Sequence, residues 1–69
     1  MNLTIEYERE EDGRWLAGVL ELPGTLVYGK TREEVLAKVK ALALRVVAEQ
    51  IEHGEHSTTD FVTISFAAA

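Results

Sequence analysis

The sequence contains no cysteine, a single proline and only short apolar runs. Without cysteine there is no disulfide, no thiolate metal ligand and no cysteine nucleophile. No run approaches the roughly 20 apolar residues that a membrane-spanning helix needs. Met1 to Glu6 has neither the basic stretch nor the apolar core of a secretory signal, which predicts a cytoplasmic protein. Basic side chains are scarce as well: 7 against 12 acidic ones, a formal charge of −5. That balance opposes direct binding of DNA or RNA, which relies on clustered Lys and Arg. It suits a basic protein partner, because complementary fields steer encounter. Asn2 and Gln50 are the only side-chain amides, beside ten Glu, a bias expected of a thermophilic source.

The 69 residues suffice for one domain, spanning 1–69. A chain this short buries only about 60% of its unfolded surface. Without staples, such a domain relies on an efficient core or on self-association. A homo-oligomer, with a dimer favoured, is therefore expected.

Leu3 to Glu8 alternates apolar and polar residues, the period of a strand with one buried face. Glu10-Glu11-Asp12-Gly13-Arg14 reads as a tight hairpin turn. A second strand is expected from Trp15 to Leu22, with apolar residues on both faces. Leu22-Pro23-Gly24-Thr25 has type II turn chemistry, Pro23 presetting φ and Gly24 supplying a positive φ. A third strand, Leu26-Val27-Tyr28, ends at Gly29. Thr31-Arg32-Glu33-Glu34 matches a capping box: Thr31 accepts from the Glu34 amide, and the Glu34 carboxylate reaches back to the Thr31 amide. Val35, Val39, Leu42, Val46, Val47 and Ile51 then recur at helical spacing, predicting a helix from Arg32 to His53. Leu36 and Leu44 widen that apolar arc and are assigned to a larger core or a subunit contact. Asp60 to Phe66 alternates again as a fourth strand. The order β-β-β-α-β predicts an α+β two-layer domain, an antiparallel-type sheet backed by one long helix.

Catalytic constellations are not legible. Glu6, Glu8, Asp12 and Glu21 are spread over strands and turns rather than converging as a metal-dependent nuclease requires. Ser57 and Ser65 lack a nucleophile elbow. Glu49, His53 and His56 near the helix end are read as solvent-facing, His53 suiting the negative end of the helix dipole. No metal and no cofactor are expected. Tyr7, Trp15, Tyr28, Phe61 and Phe66 are placed on strands, where acids outnumber Arg9, Arg14 and Lys30; core or interface use is favoured over base stacking. Ala67-Ala68-Ala69 reads as a frayed end.

Two segments carry a resemblance. Trp15-Leu16-Ala17-Gly18-Val19-Leu20-Glu21-Leu22-Pro23-Gly24 resembles the aromatic-x-Ala…Glu-Leu-Pro-Gly segment of the HicB-like family, and Gly29-Lys30-Thr31-Arg32-Glu33-Glu34-Val35-Leu36 resembles the Gly-Asp-Thr-x-Glu-Glu-Ala-Leu that follows it there. The two lie in family order at the family's separation. Thr25 stands where a small cysteine is common. The resemblance implies a trimmed RNase H-like fold without a working active site. It also implies an antitoxin role, binding and occluding HicA, a small basic ribonuclease that cleaves messenger RNA. Many HicB proteins carry a C-terminal DNA-binding module; a 69-residue chain has no room for one, so direct DNA binding is not expected. Trp15, Glu21, Leu22, Pro23 and Tyr28 are the expected partner contacts, and Leu36 and Leu44 the expected self-association residues. The alternative is a homo-oligomeric domain that binds another protein or a small ligand, with no toxin partner.

Overall fold

A computed structural model describes residues 1–54 and 63–68. The elements are β1 (Asn2–Arg9), β2 (Trp15–Val19), β3 (Leu26–Gly29), α1 (Arg32–Glu52) and β4 (Ser65–Ala68). They form one four-stranded sheet in the order β3-β2-β1-β4, with α1 packed on one face. The predicted α+β two-layer order is the observed one.

One part of the expectation needs correcting. The sheet is mixed, not antiparallel throughout. β1–β2 and β2–β3 are antiparallel, but β4 lies parallel to β1 with Leu3 opposite Phe66. The reason is topological. β3 already runs parallel to β1, and the helix carries the chain across the sheet so that β4 runs in the direction of β3. Parallel pairing needs a crossover of this kind, usually helical.

Both predicted turns form. Gly13 has φ +90° and donates its amide to Glu10 O at 3.0 Å. Asp12 clasps Arg14, accepting from its amide at 3.0 Å and from Nε at 2.7 Å. In the second turn Thr25 N donates to Leu22 O at 3.2 Å, over Gly24 at φ +89°. β2 is shorter than expected, ending at Val19, because Leu22 N already donates to Val19 O at 3.2 Å and turns the chain. Thr25 fastens this loop from inside. Its buried hydroxyl accepts from Val19 N at 3.1 Å and donates to Leu22 O at 2.6 Å.

Thr31 caps α1, its hydroxyl accepting from Glu34 N at 3.0 Å. The second half of the capping box differs from expectation. The Glu34 carboxylate accepts from Lys30 N at 3.3 Å instead of from Thr31, while its other oxygen binds Lys38 Nζ at 2.9 Å. Lys38 Nζ also donates to Tyr28 O at 3.2 Å, so this i,i+4 pair ties the helix to β3. The helix stops at Glu52, with His53 at the C-cap and Gly54 at φ +67°.

The core joins Leu3 and Ile5 of β1, Ala17 and Val19 of β2, Leu22, and Val35, Val39, Ala43 and Val47 of the helix. Each fully buried aliphatic side chain contributes roughly 2 kcal/mol of hydrophobic stabilisation. The helix meets the sheet along a strict i, i+4 ridge. Ala43 therefore enters the core, while Leu36, Val46 and Ile51 pack along its margins. Gly29 sits under the first turn, where an added Cβ would lie 2.9 Å from Val35 N, so only glycine permits this strand–helix approach. Ala67 and Ala68 belong to β4, which corrects the expectation of a frayed tail: both pair with β1. The start of the predicted fourth strand, Asp60 to Val62, and Ala69 lie outside the described residues.

Candidate functional site

The helix covers one face of the sheet only. Strand alternation sends Thr4, Glu6 and Glu8 of β1 to the other face. The register then extends two rows across three strands. Glu8 stands opposite Leu16, which stands opposite Tyr28; Glu6 stands opposite Gly18, which stands opposite Leu26. Beyond β2, Leu20 joins the same side, its amide donating to Thr4 O at 3.0 Å. Leu20, Leu26 and Tyr28 are 55%, 65% and 46% exposed, three of the four large hydrophobic residues so placed among those described.

A shallow hollow of about 440 Å³ lies on this face, bordered by Glu6, Glu8, Leu16 and Leu26 with Gly18 in its floor, and the Leu26 side chain leans over Gly18. An added Cβ at Gly18 would lie 2.9 Å from Leu26 Cδ2 and 3.1 Å from Thr25 O. Arg14 closes one end, its guanidinium 4.4 Å from the centre of the Tyr28 ring while bonded to Asp12. Among the described residues the ion pairs are Arg14–Asp12 and Lys38–Glu34, so neither Glu6 nor Glu8 is in one. The outer face is thus a band of leucine and tyrosine with acidic side chains along β1.

The five residues expected to contact a partner do not share this surface. Tyr28 is on it. Trp15 is half-buried on the helix side, its ring 6.2 Å from that of Tyr7. Tyr7 in turn accepts from Arg32 Nη2 at 3.0 Å. Leu22 is 4% exposed and belongs to the core. Pro23 is exposed in the turn. Glu21 is engaged internally: its carboxylate accepts from Thr4 N at 2.7 Å and from Thr4 Oγ1 at 2.9 Å. Those two bonds hold its pKa below the ordinary glutamate value. Asp12 and Glu34 are lowered for the same kind of reason, by bonds from Arg14 and from Lys38 with Lys30 respectively.

Of the helix pair, Leu36 packs partly against the core, whereas Leu44 is 46% exposed on the outward side among exposed Ala37, Ala41 and Ala48. Among the described residues the aromatic side chains do not make one stacking platform, since Tyr7, Trp15 and Phe66 face the core side and Tyr28 the other. Phe61, Ser57, Glu55 and His56 lie outside the described residues. Leu16, Gly18, Leu20 and Leu26 were not singled out from the sequence as a surface. The signal was present in the apolar residues on both faces of β2, but which face the helix would cover depends on register.

No helix among the described residues is long and apolar enough to cross a membrane. The chain is 34% identical over 61 residues to the UPF0150 protein Ta0767 of Thermoplasma acidophilum, an alignment covering 87% of each chain. No family model matches. No solved structure matches either.

Proposed function

The chain belongs to the UPF0150 family, and on that premise we propose that it is a non-catalytic, cytoplasmic, HicB-like protein that binds and occludes a small basic HicA-type ribonuclease. The observation that carries this reading is the relative that matches across nearly the whole domain, in a family that is HicB-like and antitoxin-related. The two motif segments support it, falling where such a domain requires them. Leu22-Pro23-Gly24 makes the turn into β3, and Thr31 with Glu34 starts the helix. Occlusion needs no catalytic group on this chain. It needs a surface complementary in charge and shape to the basic face of a nuclease, and a net charge of −5 has the required sign. The test is co-purification with a HicA-type ribonuclease from the same genome and rescue of growth when both are expressed. Failure to bind and failure to rescue would refute the antitoxin role. Incubation of the chain alone with RNA and magnesium or manganese tests the non-catalytic part; cleavage would refute it.

A second reading is a homo-oligomer that binds another protein or a small ligand, without a toxin. It is favoured by the outward side of the helix, where Leu44 stands exposed among exposed Ala37, Ala41 and Ala48. Sedimentation at micromolar concentration tests it. A dimer that Leu44→Glu converts to a monomer supports it, and a wild-type monomer refutes it.

A further inference from the structure

We propose that the outer face of the sheet is the docking surface for a cationic segment of a protein partner, with Glu6 and Glu8 as its charged anchors and Leu16, Leu20, Leu26 and Tyr28 as its apolar bed. The inference rests on the binding role proposed above and assigns it to a specific surface. Three observations meet there. Among the described residues, three of the four large exposed hydrophobic side chains lie on this one face. A shallow hollow bordered by Glu6, Glu8, Leu16 and Leu26 opens on it. Two carboxylates at its border, Glu6 and Glu8, stand outside the ion pairs of the described residues.

The charge decides between occupants. A second copy packed face to face would bury four carboxylates, Glu6 and Glu8 of each chain, in one surface that excludes water, where like charges repel most strongly. Nucleic acid and anionic lipid meet the same repulsion. A protein strand or helix bearing arginine or lysine is attracted to Glu6 and Glu8 instead, and the cation already on this face, Arg14, is paired with Asp12. The long aliphatic stem of such a residue covers apolar surface while its charged head reaches a carboxylate. The hollow bordered by Glu6, Glu8, Leu16 and Leu26 offers both apolar wall and carboxylate to such a residue. Tyr28 offers an additional cation face, which Arg14 of this chain occupies at 4.4 Å and which a partner arginine could take over.

The test titrates the isotope-labelled full chain with a synthetic peptide alternating arginine and leucine, and with its glutamate–leucine counterpart. In a parallel arm it uses a catalytically inactive HicA-type ribonuclease from the same genome. The cationic peptide is expected to shift the amide resonances of Glu6, Gly18 and Leu26, and the acidic peptide to shift none. Affinity should fall on the order of tenfold in E6K/E8K, and less in the isosteric E6Q/E8Q, which keeps the strand's shape. It should weaken further as salt rises and screens the exposed charges. Shifts confined to α1, equal binding of the acidic peptide, or affinity indifferent to E6K/E8K would overturn the proposal. A wild-type dimer dissociated by Leu26→Ser would overturn it too, by naming a second copy as occupant. If the ribonuclease binds but ignores E6K/E8K, the surface is wrong and the antitoxin role stands. Should the peptide bind at this face while the ribonuclease does not bind at all, the role is wrong and the surface stands.

Discussion

The carboxylate of Glu21 grips Thr4 twice, accepting from its amide at 2.7 Å and from its hydroxyl at 2.9 Å. Seventeen positions separate the two residues, and the grip fixes the loop that follows β2 against the middle of β1. Glu21 is the acid of the Glu-Leu-Pro-Gly segment. Its work in the fold is to join that segment to the first strand, next to the bond from Leu20 N to Thr4 O.

Because these bonds favour the ionised form, the Glu21 pKa is lower in the folded chain than its ordinary 4.5. A carboxylate lowered on folding contributes stability above its unfolded pKa and loses it as pH falls through the folded value. Glu21→Gln is therefore expected to lower Tm at neutral pH, with the gap to wild type closing as pH falls below the ordinary glutamate value and through the lowered folded one. Thermal melts followed by circular dichroism across pH check this. A gap that persists undiminished into strong acid would contradict it.

Gly29 is required by packing rather than by its own backbone. An added Cβ would lie 2.9 Å from Val35 N and 3.0 Å from Val35 Cα. Backbone cannot step aside as a side-chain tip can. Gly29→Ala is expected to cost about 1–3 kcal/mol, as overpacking does. Denaturant midpoints at unchanged m-value measure it.

Thr25 offers a different kind of test. Its hydroxyl is the partner of Val19 N and Leu22 O inside the loop. Thr25→Val keeps the shape but leaves the Val19 amide without that acceptor, at a cost of about 1–3 kcal/mol. Thr25→Ser keeps the hydroxyl and should lose less. Equal losses in the two variants would show that shape, not the hydrogen bonds, matters at this position.

How much could be read in advance depended on whether the signal was local. The Asp12-Gly13 and Pro23-Gly24 turns and the Thr31 cap are set by residues adjacent in the chain, and each formed as its chemistry dictates. The element order followed from them. The parallel seating of β4 was not legible, because direction depends on where a helix delivers the chain rather than on any residue in the strand. Ala43 is hard to read in the sequence because an alanine carries little apolar signal, yet it is fully buried on the i, i+4 ridge. Leu22 looks like a contact in a motif but is core, and Glu21 is held by Thr4. The outer face exists only once Glu6, Gly18 and Leu26 are brought side by side by pairing across three strands.

Thr31→Ala tests the helix start. Removing the acceptor for Glu34 N at 3.0 Å is expected to cost about 1 kcal/mol. Thr31→Asp should restore most of it, since a carboxylate also caps and meets the positive end of the helix dipole. Hydrogen exchange at Glu33 and Glu34 would report the loss locally.

The most direct test of the central claim is cleavage of messenger RNA by a HicA-type ribonuclease from the same genome, measured as this chain is added. The account predicts that cleavage falls to background as the chain reaches stoichiometric amounts, and that the chain alone cleaves nothing. Cleavage that continues undiminished in excess of the chain would contradict it.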